Sequence, residues 1–222
     1  IFVRLLLLLL TSLTSCAQNK KNSLVIYQKD GTKVEYRTDA IDSITFAKGN
    51  TEEKPQGITI TRVYGDGTTY CAFTSLVKRG GIYYIAFREG STHVAPGDYG
   101  VIRIMTSQDG VDWQLNQTLS LPQIDLRDPD ISIMPNGRMM IICGARMQSD
   151  EDSYFTRTYS SIEDENGYFE TPEPANLPEE VIWESCSWVW RLTWCEDTGY
   201  GVCYDNGNIA LLKTTDGKNF SL

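Results

Sequence analysis

Short apolar–polar runs of four to eight residues, separated by Gly, Asp, Asn and Pro, fill most of the chain and predict an all-β fold. Leu24-Val25-Ile26-Tyr27 and Lys33-Val34-Glu35-Tyr36 flank Asp30-Gly31, a two-residue turn signal, and predict a small hairpin. Ile41, Ile44 and Phe46 add a short apolar return to it. Residues 48–57 are polar, contain Thr51-Glu52-Glu53-Lys54-Pro55 and break both periodicities, so they read as a linker. Beyond about Tyr70 the predicted strands group in fours. The first group takes residues 72–77, 82–87, 101–107 and 113–119. The second takes 130–134, 138–144, 154–160 and a strand near Tyr168. The third takes 188–194, 200–204 and 209–214, with a fourth strand starting at Phe220.

An internal repeat underlies this grouping. Ser107-Gln108-Asp109-Gly110-Val111-Asp112-Trp113 and Thr214-Thr215-Asp216-Gly217-Lys218-Asn219-Phe220 both fit [Ser/Thr]-x-Asp-Gly-x-x-[aromatic], and residues 160–169 keep the pattern in degenerate form. The period is about 53 residues, the size of one four-stranded propeller blade. Each motif falls on the turn between the third and fourth strands, where the Asp carboxylate accepts turn N–H groups and the aromatic ring packs between blades. Ser107, Asp109, Gly110, Trp113, Thr214, Asp216, Gly217 and Phe220 are therefore read as structural.

Composition narrows the classes of function. The 222 residues carry 20 Lys and Arg against 29 Asp and Glu, a net charge of −9, which argues against a nucleic-acid partner. An apolar content of 41% is enough to order a core. The single histidine excludes a multi-histidine zinc centre, and with no CxxC pair neither a metal nor a cofactor is implied. Cys195 and Cys203 flank a Glu196-Asp197-Thr198-Gly199 turn, so a disulfide there stays open, whereas Cys143 in an apolar run reads as a buried thiol.

Arg4, the apolar run 5–10 and Leu13-Thr14-Ser15-Cys16 form a leader too short to span a bilayer. It resembles a bacterial lipoprotein signal, which implies lipidation of Cys16 and, with Ala17 following, a lipid anchor in the outer membrane of a Gram-negative bacterium. The expected organisation is residues 1–16 signal, 17–47 hairpin segment, 48–57 linker and 58–222 propeller, in a chain that reads as a fragment at both ends.

The repeated Asp-Gly motifs resemble the Asp boxes of the sialidase (neuraminidase) superfamily, whose members are six-bladed β-propellers. The resemblance covers residues 57–222 and includes Ala72-Phe73-Thr74-Ser75-Leu76 and Ala86-Phe87-Arg88-Glu89-Gly90. It implies that about three blades are present. Where sialidases carry Arg-Ile-Pro this chain has Tyr70-Cys71-Ala72-Phe73, and their tyrosine nucleophile would fall beyond Leu222. Phe-Arg-Glu-Gly, Leu-Arg-Asp-Pro and Trp-Arg-x-Thr-Trp resemble more closely a sialidase-like branch of exported glycosidases.

The blade scheme brings the start of strand one, the end of strand two and the start of strand three of each blade to one rim. Arg88, Glu89, His93 and Asp98 fall on it from the first blade, Arg127 and Asp128 from the second, and Arg191 beside Trp190 from the third. Asp150, Glu151 and Asp152 read as a solvated acidic loop. Guanidinium forks and tryptophan faces suit an anionic or hydroxyl-rich sugar, so Arg88, Arg127, Arg191, His93 and Trp190 are candidate substrate-binding residues. Asp98 or Glu89 is the candidate acid, and Asp128 the candidate base or stabiliser of an oxocarbenium-like state. Each residue also has a structural alternative: ion pairing for Arg88 and Glu89, a capped turn for Arg127-Asp128-Pro129, cation–π packing for Arg191. Three functions stay open at this point: a sialidase-like glycoside hydrolase acting on glycans, a glycosidase of the five-bladed kind, and a non-catalytic glycan-binding lipoprotein.

Overall fold

Every regular element described in the computed structural model is a β-strand, apart from one 3₁₀ turn at Glu179–Val181. The structure describes residues 23–28, 30–37, 61–149, 153–205 and 207–222. The chain divides into two units, Ile1–Ile58 and Thr59–Leu222. The leader, Cys16, the return 41–46, the linker and Asp150, Glu151 and Asp152 lie outside the described residues.

In the first unit, β1 (Ser23–Tyr27) and β2 (Lys33–Arg37) pair antiparallel from Ser23↔Arg37 to Tyr27↔Lys33. The connection spans five residues, not the two expected from Asp30-Gly31. Gly31 sits at φ +82° within it, and Asp30 accepts the Thr32 amide and hydroxyl.

The second unit begins with β3 (Tyr70–Arg79), β4 (Ile82–Gly90), β5 (Val101–Ser107) and β6 (Gln114–Leu119), a four-stranded antiparallel meander. A second meander is built from β7 (Asp125–Ile133), β8 (Met139–Gln148), β9 (Tyr154–Ile162) and the short β10 (Glu173–Pro174). The third consists of β11 (Cys186–Cys195), β12 (Thr198–Asp205) and β13 (Asn208–Thr214), with a bridge from Lys213 to Ser221. Cys186↔Thr156 and Ser187↔Arg157 join the last two meanders by a short parallel stretch that has no local signature in the chain.

Strand β8 shows how these blades stack. Its run Met139 to Ala145 is buried without interruption because both faces are covered. Met139, Ile141, Cys143 and Ala145 pack with Ala86, Ile102, Ile104 and Leu119 of the first blade. Met140 and Ile142 pack the other way, with Val189, Leu192, Leu212 and Phe220 of the third. Polar ties span the same interfaces. Arg79 of the first blade forms an ion pair with Glu163 of the second, and Gln117 exchanges two hydrogen bonds with the Phe169 backbone.

Three expectations need correction, and the open question of a Cys195–Cys203 disulfide is answered. Strand β7 starts at Asp125 rather than Asp130, because Pro129 falls inside a register shift between Arg127 and Asp130 where no ladder N–H is needed. The strand expected near Tyr168 is only the bridge Glu163↔Phe169, and the fourth strand of that blade is β10. Cys203 lies opposite Val189 and Cys195 opposite Thr198, so they do not face each other, and both are free thiols. Several strands also run longer than predicted, β8 by four residues beyond Gly144.

The Asp-Gly turns match each other in detail. Asp109 accepts the amides of Val111 and Asp112 and the Ser107 hydroxyl, and Gly110 is at φ +78°. Asp216 accepts the amides of Lys218 and Asn219 and the Thr214 hydroxyl, and Gly217 is at φ +73°. In the degenerate copy Asp164 accepts the Asn166 and Tyr168 amides. Phe220 and Phe169 are buried, whereas the Trp113 ring stays partly exposed and donates to the Gly110 carbonyl.

Candidate functional site

The innermost strands β3, β7 and β11 each break register once at an equivalent point: between Ala72 and Ser75, between Arg127 and Asp130, and between Trp190 and Leu192. At each break a non-glycine residue adopts a left-handed conformation: Phe73 at φ +61°, Asp128 at φ +51° and Arg191 at φ +57°. Such conformations cost on the order of 1–3 kcal/mol each and persist where the surrounding structure over-determines them, often at functional sites. Each kink re-aims one side chain, so each blade contributes one: an aromatic ring, a carboxyl group and a guanidinium.

Asp130 ties the three strands together. Its Oδ1 accepts the Ser75 hydroxyl at 3.0 Å and its Oδ2 accepts the Leu192 amide at 3.0 Å, while Arg191 Nη1 stands 3.9 Å away. The strands line an axial cleft of about 420 Å³ between Thr74, Ser75, Asp130, Ser132, Arg191 and Thr193.

Beside the Asp128 kink lies a buried ionic cluster. Arg88 has no solvent exposure. Its Nε donates to Asp125 at 2.8 Å, its Nη1 to the Thr92 carbonyl at 2.9 Å, and its Nη2 to Asp98 at 3.4 Å. Asp98 also accepts the amides of Ser91 and Thr92, and Asp125 accepts the Gly100 amide. Gly90 and Gly100 are required here, because a Cβ on either would collide with the Arg88 guanidinium. The expected substrate-binding role of Arg88 is thus corrected: its fork is enclosed and shapes the loop 91–98.

Asp98 is corrected in the same way. Burial pushes its carboxyl up, but the Ser91 and Thr92 amides and Arg88 outweigh that and hold it below the usual range. It is therefore an anion, the wrong protonation state for a general acid. Glu89 is engaged as well, accepting from Arg103 Nε and from the Tyr64 hydroxyl at 2.9 Å.

Asp128 differs from all of these. Among the described residues no hydrogen bond stabilises its charged form, and its ion-pair partner is Arg127 Nε at 3.9 Å. Its carboxyl is raised to about 6: burial is the main cause, Arg127 offsets part of it, Asp125 adds to it and Arg88 lowers it a little. Arg127 Nε is buried without a hydrogen-bond partner, 3.7 Å from Asp125 and 3.9 Å from Asp128, while its Nη2 holds the His93 carbonyl at 2.8 Å. The His93 ring stacks on Tyr70 at 5.7 Å and meets Phe73 at 5.6 Å. On the third blade Trp188 and Tyr204 pack at 5.6 Å. The Tyr204 phenol is pushed up to about 12 by burial, with the charges of Cys186 and Asp128 adding to the shift. Burial holds the Cys143 thiol, up to about 12, inert beneath the kink.

The rim therefore brings Asp128, Arg127 and His93 together. Arg191 stands half-exposed beside Trp190, its guanidinium 5.7 Å from the ring, and takes part through the axial cleft. Sequence reasoning missed Tyr70, Phe73, Asp125 and Asp130. The aromatic Tyr70-Cys71-Ala72-Phe73 signalled the first two, whereas the tertiary pairing of Asp125 with Arg88 left no local mark. Among the described residues no group of three or more His, Cys, Asp or Glu side chains is placed to hold a metal ion.

No protein-family profile and no curated protein matches the sequence. Solved structures do match in fold. The chain is similar to a protein of unknown function from Dyadobacter fermentans at 17% identity and a TM-score of 0.59, over 72% of this chain and 55% of that one. It is similar to a glycosyl hydrolase from Bacteroides ovatus at 10% identity and 0.52, over 76% and 57%. A xylan β-1,4-xylosidase from Bacillus halodurans matches at 11% identity and 0.52, over 67% and 29%. The common element is a β-propeller type of fold found in glycosidases. The chain spans about half the length of the first structures it matches.

Proposed function

We propose that this chain is part of a glycoside hydrolase in which Asp128 is the general acid. The observation that carries the reading is the Asp128 carboxyl itself: it is held at a strained kink on the innermost strand of the second blade, without a hydrogen bond, beside Arg127. A carboxyl raised to about 6 keeps a proton into the weakly acidic range and donates it to a glycosidic oxygen as the bond to the sugar breaks. Arg127 then faces the carboxylate that forms and stabilises it. Phe73, Tyr70 and Trp188 supply ring faces for the sugar.

Glycosidases use two carboxyl groups. Asp98 and Asp125 are committed to Arg88, and Asp205 accepts the Ser185 hydroxyl on both oxygens. We assign the second carboxyl group to a part of the full-length protein outside the described residues. A substrate carboxylate meets a rim where Arg88 is withdrawn, Asp128 stands beside Arg127 and Arg191 faces Asp130, so a neutral sugar fits better than a sialic or uronic acid. The leader and Cys16 support an anchored location on the cell envelope.

The engagement of the other described rim carboxylates favours one second reading, a propeller that binds glycans without cleaving them. Asp128→Asn in the full-length protein separates the two, since Asn tolerates a left-handed φ and keeps the fold. On a panel of aryl glycosides, turnover is expected to fall by roughly 10²–10⁴-fold, the usual contribution of a general acid. Glycan binding by a wild-type protein that hydrolyses no member of the panel supports the second reading instead.

A further inference from the structure

A second cleft, of about 580 Å³, has a lining that includes Tyr99, Pro122, Gln123, Met147, Gln148 and Phe155. Tyr99 follows Asp98 in sequence and Met147 follows Arg146, so the cleft begins one residue beyond the rim that carries Asp128. Its volume lies within the roughly 300–1,000 Å³ typical of small-molecule sites. Among the described residues no charged side chain lines it. Two aromatic rings do: Tyr99 is 45% exposed, and Phe155 is backed by the Arg157 guanidinium at 4.8 Å from its centroid.

Gln123 is the informative residue. The Ile124 amide donates to the Leu121 carbonyl at 3.4 Å, closing a turn with Pro122 second and Gln123 third at φ +59°. That third position of a type II turn favours glycine. A glutamine there holds a strained backbone and an amide side chain at the wall of an aromatic cleft. Aromatic faces with an amide donor and acceptor, and no fixed charge among the described lining residues, match the C–H faces and hydroxyls of a neutral sugar.

We propose that this cleft is a distal subsite for a neutral sugar residue of the glycan whose cleavage is assigned to Asp128, so that oligosaccharides are preferred to monosaccharides. The site rests on the glycoside-hydrolase reading for its ligand, but its test does not depend on turnover. The full-length protein is titrated with xylotetraose, β-1,2-mannotetraose, xylose, mannose and a sialylated tetrasaccharide, by ligand-observed NMR. At least one neutral tetrasaccharide is expected to bind more tightly than its monosaccharide and than the sialylated probe. Gln123→Gly and Tyr99→Ala are each expected to weaken that tetrasaccharide roughly threefold to tenfold and to leave the monosaccharide unchanged. Gln123→Gly is also expected to keep or raise the melting temperature, because it relieves the turn; a merely structural role for Gln123 predicts unaltered binding. No binding of either neutral tetrasaccharide, preference for the sialylated probe, or wild-type affinity in both variants overturns the subsite. If groove-dependent binding persists while the wild-type protein hydrolyses nothing, the hydrolase reading falls and the subsite stands; if hydrolysis depends on Asp128 but neither on chain length nor on Gln123, the reverse holds.

Discussion

Asp128 combines a left-handed backbone, burial and the lack of any hydrogen-bond donor to its charged form, and each of these has an energetic sign. In the unfolded chain its carboxyl titrates near 3.8, whereas in the fold it titrates at about 6. Between those values the native state binds more protons than the unfolded state, so stability falls as pH rises through the window and the full cost persists above it. The cost is on the order of 2–3 kcal/mol. Asp128→Asn removes the charge and keeps the shape. Thermal melts of the two proteins should therefore coincide near pH 4, with the variant more stable at pH 8; equal melting temperatures at both values would show that burial does not perturb this carboxyl. The strain at Asp128 was invisible in the sequence, where Arg-Asp-Pro reads equally as a capped turn. Nor was the burial of Arg88 legible, since its partner Asp125 lies far along the chain and Phe-Arg-Glu-Gly carries no sign of that pairing.

Elements were more legible than residues where the governing forces are local. The Asp109 and Asp216 turns were readable because a carboxylate, a hydroxyl and a glycine close their hydrogen bonds within a few positions. Strand β8 was readable as a strand, but its burial on both faces depends on blades that precede and follow it. That double burial makes Ile141→Ala expensive, at about 2–5 kcal/mol, because the cavity opens between two packed sheets. Val111 on the first Asp-Gly turn is 60% exposed, and its replacement by Ala should stay within about 0.5 kcal/mol. Urea unfolding of both variants checks the contrast, and similar costs would mean that β8 is not enclosed. The β7 boundary was misread because Pro129 looks like a strand breaker until the register shift around it is known.

At the scale of the whole molecule, the blades place chemistry and structure on opposite faces. The three kinks share one face and are held in mutual position by Asp130, while the Asp-Gly turns stand at the other ends of the strands. Asp109→Ala in the full-length protein should then lower the melting temperature and leave kcat/KM of the folded protein unchanged; lost turnover at unaltered stability would place the site on the wrong face. The approximate 53-residue period made the blade architecture legible, whereas the approach of the blades, and hence which rim residues are free, is set by tertiary contacts alone. The most direct test of Asp128 as the acid is the pH dependence of kcat/KM for the full-length protein on an aryl glycoside with a poor leaving group. The account predicts a decline on the alkaline side with a midpoint near 6, an upward shift of that midpoint in Arg127→Ala because a cation that lowers the Asp128 pKa is gone, and no such limb in Asp128→Asn. Full activity in Asp128→Asn, or an alkaline limb that neither substitution moves, would contradict it.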